Sequence, residues 1–237
     1  LCDGGRIPKG HRMRLPDKTC TIETAIAKIP EGATVMVGGF GVPGTPFALI
    51  RELVRQGQRG LTIIKNDANE RDLGIDHLLA NGQVTRLVTT HIGLNPRAIE
   101  MLNAGALDVE FNAQGILAER VRAGGAGLTA ILTDIGLDTD LAQGKQRVEI
   151  GGKTALVETA LRADAALIHA DCADVFGNLG YVATARNFNP LMAMASDLVI
   201  AEAETILPLG GLGADAVHTP GPFVDHVVGL PALSEEY

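Results

Sequence analysis

Short apolar runs alternate with amphipathic segments along the first half of the chain. Runs rich in β-branched and aliphatic residues predict strands, and segments with apolar residues three or four apart predict helices. The predicted strands cover residues 33–37, 61–64, 86–90 and 107–111, and the predicted helices cover residues 21–29, 47–56, 73–80 and 96–103. Such alternation is typical of a parallel sheet with helices packed on its faces.

The pattern changes in the second half of the chain. A helix is predicted over residues 115–123, and the glycines of AGGAG, residues 123–127, are expected to end it. RVEIGGKTALV, residues 147–157, has two β-like arms around a Gly-Gly pair, which is typical of a hairpin. Two further strands are predicted at residues 166–169 and 198–201, with a short helix over 190–195 between them. The chain therefore predicts an α/β fold: an open, mostly parallel mixed sheet with helices on both faces and a small antiparallel lobe.

Composition and charge narrow the class of partner. Hydrophobic residues make up 46% of the 237 positions, which suits one α/β domain with a large core. The formal net charge is −8 and Lys and Arg form no cluster, so neither nucleic acid nor an anionic membrane is an expected partner. Apolar runs are far shorter than a membrane span, and a cytoplasmic location is expected. Cys2, Cys20 and Cys172 are odd in number and irregularly spaced, which predicts reduced thiols.

The beginning of the chain differs from the rest. Residues 1–18, LCDGGRIPKGHRMRLPDK, are polar, rich in Gly and Pro and without periodicity, which predicts a flexible leader. The first residue is not Met, so Met13 is a candidate natural start, a hypothesis that the intact mass of the native protein tests. Residues 19–237 are then expected to form a single domain.

A glycine-rich turn follows the first predicted strand in TVMVGGFGVPGTP, residues 34–46. Gly39, Gly41 and Gly44 satisfy GxGxxG between a strand and a helix, which is the fingerprint of a dinucleotide site, and Asp67 after the next strand could hold the ribose. Phe40 argues against this interpretation, because a bulky ring stands where the backbone must approach the pyrophosphate. A dinucleotide-dependent oxidoreductase stays as one alternative, and a turn that binds no ligand stays as another.

The segment HADCAD, residues 169–174, collects potential metal ligands and a thiol. Strand alternation places His169 and Asp171 on one face, but no second group of ligands follows at a matching spacing, so no metal site is predicted. Cys172 lacks a base nearby in sequence and is not expected to be a nucleophile. His91 is interpreted as an ordinary loop histidine rather than a substrate ligand.

Four ordered blocks of the chain resemble the α subunits of family I coenzyme A transferases. GATVMVGGFGVPGTP is similar to the signature of those subunits, and AQGILAERVRAGGAG is similar to a second block. ARNFNPLMAMA and TPGPFVDHVV resemble their C-terminal blocks, so the likeness extends over residues 21–231. A fold like that of the CoA transferases is implied.

Other segments refine this resemblance. KNDANERDLGI together with HIGLNP favours the acetate or acetoacetate transferases over the 3-oxoadipate enzymes. Glu31 departs from the Asp or Asn of the family signature, and LTDIGLDT, residues 132–139, departs from the usual loop. That loop is expected to border the acyl pocket, so the second departure bears on substrate preference.

The resemblance implies half of an enzyme. The family's nucleophile is a glutamate in a Ser-Glu-Asn-Gly motif on the β subunit, or on the second half of fused enzymes, and this chain lacks the motif. The implied reaction moves CoA between a short-chain acyl-CoA and a carboxylate such as acetate, acetoacetate or butyrate, through a glutamyl-CoA intermediate. The implied assembly has two α and two β subunits, with a CoA thioester as substrate and no bound cofactor or metal.

The same resemblance implies site residues. Gln114 matches the glutamine whose side-chain amide helps to form the oxyanion hole. The residues implied to contact the substrate or CoA are Gly38, Gly39, Phe40, Gly41, Asn66, Gly124 and Gly125. A non-catalytic ligand sensor of similar fold remains a third alternative, since one fold hosts several functions.

Overall fold

A computed structural model describes residues 15–231 of the chain. The proposed start at Met13, the first fourteen residues of the predicted leader and the thiol at Cys2 lie outside the described residues. Within the rest of the predicted leader, Lys18 is tied to the fold: its backbone N–H donates to Val175 O at 2.8 Å, and its Nζ donates to Val224 O at 2.6 Å. Lys18 is therefore an anchored residue.

Eleven strands occur in the described chain, and most of them form one sheet. The strands are β1 Thr34–Val37, β2 Leu61–Ile64, β3 Val84–Thr89, β4 Asp108–Phe111, β5 Ala130–Thr133, β6 Arg147–Ile150, β7 Lys153–Thr159, β8 Ala163–Asp174, β9 Leu179–Gly180, β10 Ser196–Leu207 and β11 His226–Gly229. The large sheet has the order β11-β10-β8-β1-β2-β3-β4, all parallel, and β9 pairs antiparallel with β8. The predicted mostly parallel mixed sheet is confirmed.

Helices cover both faces of this sheet. They are α1 Ile22–Ile26, α2 Phe47–Gln56, α3 Asp76–Ala80, α4 Pro96–Asn103, α5 Gln114–Gly125 and α6 Asn189–Met194. Alternate residues of each strand point to opposite faces: Val35 and Val37 of β1 join the core under α1 to α4, whereas Met36 joins the core under α5 and α6. The central strands are therefore buried on both sides, as expected for a parallel sheet.

Helix ends follow local chemistry in some places and distant contacts in others. Asn95 caps α4, with its side chain accepting from Ala98 N at 2.9 Å, and Pro96 occupies the first turn. The start of α2 lacks a cap from its own N-cap residue. Glu202 of β10 supplies one instead by accepting from Leu49 N at 2.9 Å.

The small lobe is the three-stranded antiparallel sheet β5-β7-β6. Gly151 and Gly152 connect β6 to β7, so the predicted hairpin is confirmed, while β5 is a strand that the sequence did not predict. Buried Arg120 of α5 ties the lobe to the main sheet. Its guanidinium donates to Thr159 O at 2.7 Å on β7, to Asn112 just after β4 and to Glu110.

The predicted boundaries of α5, β8, β10 and α3 were wrong. The helix α5 runs through Gly124 and Gly125 instead of ending before them, because these glycines allow close packing: a Cβ on Gly124 would lie 1.9 Å from Leu161 O. The strands β8 and β10 each have twelve residues, because they pair with each other along most of their length. The helix α3 starts only at Asp76, because Asn69 holds the preceding turn by accepting from Ile75 N at 3.1 Å.

The strand order reverses at β1. The chain proceeds from β1 outward through β2, β3 and β4, and after the lobe it returns to the other side of β1 as β8, then β10 and β11. In open α/β sheets, ligands bind outside the carboxyl ends of the strands at such a reversal. The turn after β1 is therefore the place to look for a site.

Candidate active site

The carboxyl ends of β1, β2 and β4 carry most of the predicted site residues. Gly38 to Gly41 follow β1, Asn66 follows β2, and Gln114 opens α5 shortly after β4. Hydrogen bonds link these ends, so the structure brings together Gly38, Gly39, Phe40, Gly41, Asn66 and Gln114.

Gln114 connects α5 to the end of β2. Its Nε2 donates to Asn66 Oδ1 at 2.8 Å. Asn66 is completely buried, and its Nδ2 donates in turn to Asp67 Oδ2 at 3.0 Å. Gln114 itself is exposed, so one end of this chain of amides is buried and the other faces the solvent.

Asp67 is the centre of the hydrogen-bond network. Its Oδ2 also accepts from Gly41 N at 2.8 Å, and its Oδ1 accepts from Asn69 N at 2.9 Å and from Lys65 Nζ at 3.3 Å. Burial by itself would raise the pKa of Asp67, but the charge of Lys65 and the hydrogen bonds from Gly41, Asn66 and Asn69 hold that pKa below its usual value of 3.8. Asp67 is therefore ionised at neutral pH.

The glycine turn is packed against the start of α6 and the segment before it. A Cβ on Gly38 would lie 1.8 Å from Asn189 Oδ1, and a Cβ on Gly44 would lie 2.3 Å from Ala185 O. The Asn189 side chain donates to Gly44 O at 3.0 Å. Two of the blocks that carry the family resemblance thus meet at this turn, and the absence of a side chain on Gly38 and Gly44 is a packing requirement.

These contacts oppose the dinucleotide alternative. In that interpretation the carboxylate of Asp67 would accept hydrogen bonds from ribose hydroxyls. Both of its oxygens are instead occupied by protein donors, and the side chain is buried. In addition, 46% of the Phe40 surface is exposed at the mouth of the turn, where a pyrophosphate would have to approach the backbone.

A small cleft opens beside the turn. Its volume is about 110 Å³, and its walls include Phe40, Val42, Asp67, Glu70, His91 and Leu94. Pockets that enclose a drug-sized ligand usually have at least about 300 Å³, so this cleft is too small to enclose an acyl-CoA. His91, which was interpreted as a loop histidine, lines the cleft.

Two predicted features lie elsewhere. Gly124 and Gly125 are in the last turn of α5, packed on Leu161 and Met194, and the structure does not bring them to the carboxyl edge. Their substrate-binding role therefore finds no support in their position, which close helix packing explains. The 132–139 loop belongs to the small lobe, and none of its residues lines the cleft.

The HADCAD strand forms an ion-pair cluster. His169 Nδ1 lies 2.9 Å from Glu202 Oε1 and its Nε2 lies 3.3 Å from Glu204 Oε1. Burial raises the pKa of the Cys172 thiol, and the charge of Asp171 adds to the increase, which opposes a nucleophilic role. Residues 15–231 contain no cluster of three or more side chains placed to hold a metal ion. In the same range no helix has the length and apolar character of a membrane span.

Sequence reasoning missed two buried cations. Lys65 is completely buried directly after β2, and Arg120 is 5% exposed. The signal for Lys65 was its position, because alternation from Leu61 and Ile63 turns it toward the core under α1 to α4. A lysine at such an inward position requires an acidic partner. Asp67, two residues later, is that partner.

Comparisons with known proteins agree with this geometry. The family model described as "Coenzyme A transferase" matches residues 19–230. The chain is 49% identical to a probable coenzyme A transferase subunit alpha of Bacillus subtilis (strain 168), over 89% of this chain and 93% of the relative. It is 43% identical to the acetate CoA-transferase subunit alpha of Escherichia coli (strain K12), over 89% and 96%.

A solved structure also relates this chain to a CoA transferase. An acyl-CoA transferase of E. coli O157:H7, determined as a thioester complex with CoA, superimposes with a TM-score of 0.84 at 25% identity. The match covers 92% of this chain but only 48% of that one, so this chain spans about half of the solved relative. The relatives named subunit alpha imply a second type of subunit. The chain belongs to the coenzyme A transferase family, as an enzyme subunit of the alpha type.

Proposed function

We propose that this chain, together with a β subunit, moves CoA between a short-chain acyl-CoA and a carboxylate such as acetate, acetoacetate or butyrate. The observation that carries the proposal is an incomplete site. Gln114, Asn66 and the glycine turn converge where the strand order reverses. The chain nevertheless has no Ser-Glu-Asn-Gly motif to supply the nucleophile. Coverage of only half of the solved acyl-CoA transferase supports a site completed by a second polypeptide.

The proposed reaction proceeds through covalent intermediates on the partner's glutamate. Its carboxylate attacks the thioester carbonyl, the C–S bond breaks, and an acyl-glutamyl anhydride and CoA thiolate result. The thiolate then attacks the glutamyl carbonyl, which releases the first carboxylic acid as its anion and leaves a glutamyl-CoA thioester. A second carboxylate reverses the two steps. One thioester replaces another of similar energy, so neither ATP nor a metal is needed.

We assign Gln114 the role of oxyanion donor. Each attack places negative charge on a carbonyl oxygen, and one well-placed neutral donor contributes about 3 to 4 kcal/mol to the transition state. One N–H of the Gln114 amide is used by Asn66, and the nitrogen carries a second N–H for the substrate. Gly38, Gly39, Phe40 and Gly41 form the adjacent wall for the acyl group or the pantetheine arm.

The partner subunit would also have to exclude water, because anhydride and thioester intermediates hydrolyse readily. The cleft is open, and the apolar side chains at its rim are exposed, by 46% for Phe40 and 65% for Leu94. A β subunit docked over this edge would cover them while bringing its glutamate toward Gln114. We propose an assembly of two α and two β subunits in the cytoplasm that binds CoA only as substrate.

Reconstitution tests the proposal. The chain is purified alone and with the product of its neighbouring reading frame, and acetyl-CoA is supplied with acetoacetate or butyrate. Formation of the new acyl-CoA only in the mixture supports the proposal. Reduction of a nicotinamide cofactor would support the oxidoreductase alternative instead, and binding without turnover in the mixture would support the ligand sensor.

A further inference from the structure

We propose that Lys65 is a positioning residue that acts through Asp67 and Asn66 to keep the amide nitrogen of Gln114, rather than its oxygen, at the carboxyl edge of the sheet. The inference deepens the proposed function and rests on the role of Gln114 as an oxyanion donor. It gives a function to a buried charge that the reaction itself does not use.

The first link is the ion pair below the turn. Lys65 has no exposed surface, and its Nζ lies 3.3 Å from Asp67 Oδ1. Complete burial lowers the pKa of Lys65, and the nearby carboxylate opposes that change. A lysine held in the core without a stabilising role would be costly, so its presence directly beneath the site needs an explanation.

The second link is the carboxylate, which can only accept. Four donors surround Asp67, two on each oxygen: Lys65 Nζ and Asn69 N on Oδ1, and Gly41 N and Asn66 Nδ2 on Oδ2. An ionised carboxylate has no proton to offer. Asn66 must therefore turn its NH2 group toward Asp67.

The third link transmits this direction to Gln114. With its nitrogen facing Asp67, Asn66 presents Oδ1 to Gln114, and an oxygen can pair only with the NH2 group of that side chain. The two ends of an amide have nearly equal size, so hydrogen-bond partners alone decide which end faces which way. The orientation of Gln114 is thus fixed from the buried carboxylate outward.

Lys65 is needed because the relay requires Asp67 to stay ionised. A protonated carboxyl group can donate, so Asn66 could rotate its oxygen toward Asp67 and its nitrogen toward Gln114. The Gln114 amide would then turn its carbonyl oxygen toward Asn66, and its second N–H would no longer point to the proposed position of the oxyanion. Two other titratable groups, Glu70 and His91, line the same cleft as Asp67. Neither is within hydrogen-bonding distance of its carboxylate in the described structure.

The test is a pH profile of the reconstituted complex carrying Lys65→Met. Methionine retains the bulk but removes the charge, so protonation of Asp67 becomes easier. We expect kcat of the variant to be close to wild type at about pH 8.5 and to fall by about tenfold or more toward pH 6, with KM little changed. Over the same pH interval, the kcat of the wild type should fall much less than the kcat of the variant.

A merely structural role gives a different result. If Lys65 only fills the core, Lys65→Met lowers activity by the same factor at every pH, and that outcome overturns the proposal. The matched control is Lys145→Met, since Lys145 pairs with buried Glu158 at 2.6 Å in the small lobe. It removes a partly buried lysine from a buried carboxylate far from the cleft and should leave the shape of the pH profile unchanged. The difference in pH profile between Lys65→Met and wild type must also persist when both carry His91→Gln, because His91 is another titratable group in the cleft.

A second measurement does not depend on turnover. The side-chain NH2 signals of Gln114 are assigned in 15N-labelled complex by their loss in Gln114→Ala, and are followed from about pH 8.5 to pH 6 in wild type and Lys65→Met. We expect them to move only in Lys65→Met. Gln114 signals that do not respond to pH in that variant would overturn the relay even if the complex is active. A wild-type complex without transferase activity would overturn the proposed function alone.

Discussion

At the scale of single residues, the account depends most on Gln114. Its side chain is exposed at the start of α5, yet it is oriented by a fully buried asparagine. Gln114→Ala in the reconstituted complex should lower kcat by about one to three orders of magnitude, because one oxyanion donor is lost. Steady-state kinetics with an acyl-CoA and a free acid measure the effect.

Gln143→Ala is the matched control for that experiment. Gln143 lies in the small lobe, where its side chain donates to Asp140 at 3.0 Å, so its removal should leave kcat unchanged. Both variants should assemble with the partner as wild type does, since neither side chain supports the core. A decrease of less than about twofold for Gln114→Ala would remove this residue from the mechanism.

At the scale of elements, α5 contains two glycines that should respond oppositely to alanine. Alanine favours a helix over glycine by up to about 1 kcal/mol. Gly115→Ala has open space around the new Cβ and should raise the melting temperature, whereas Gly124→Ala places its Cβ 1.9 Å from Leu161 O. The second variant should lose about 1 to 3 kcal/mol of unfolding free energy. Thermal melts of the two variants measure the contrast.

The kinetics of Gly124→Ala test its predicted contact with substrate. If Gly124 only packs α5 against Leu161 and Arg162, just before β8, the folded fraction of this variant should keep a wild-type KM for acyl-CoA. A raised KM with an unchanged melting temperature would restore the substrate-binding role that the sequence comparison implied.

A titratable cluster joins the middle of β8, the middle of β10 and the start of α2. Burial alone would lower the pKa of His169, but its hydrogen bond with Glu202 and the charges of Glu202 and Glu204 raise that pKa above 6.5. A raised folded-state pKa stabilises the fold fully below about pH 6.5, and this contribution is lost as the pH rises through the raised value. Melting temperatures from about pH 5 to pH 9 should therefore fall more on the alkaline side for wild type than for His169→Gln. Parallel curves for the two proteins would contradict this.

Elements whose signals are local were predictable from the sequence, and those that depend on distant partners were not. Asn95 and Pro96 mark α4 by their own chemistry, and its predicted bounds agree with the structure. The length of β10 depends on its pairing with β8, and the passage of α5 through Gly124 depends on Leu161, which no local pattern reveals. In the site, the glycine turn, Asn66 and Gln114 were found through resemblance, whereas Lys65 was missed because its function depends on the Asp67 contact.

At the scale of the whole molecule, the chain has the fold of a transferase but an open site. The family model and the curated relatives cover nearly all of it, while the solved acyl-CoA transferase is about twice as long. The glycine wall and the proposed oxyanion donor lie where the strand order reverses. The central claim is that the attacking carboxylate comes from another polypeptide.

Intact mass spectrometry of the two subunits tests this claim most directly. The reconstituted complex is incubated with acyl-CoA without a free acid acceptor, so that the glutamyl-CoA thioester accumulates. The account predicts that the partner subunit gains the mass of a CoA group less one water, while the mass of this chain stays the same. A CoA adduct on this chain, or complete turnover by this chain alone, would contradict it.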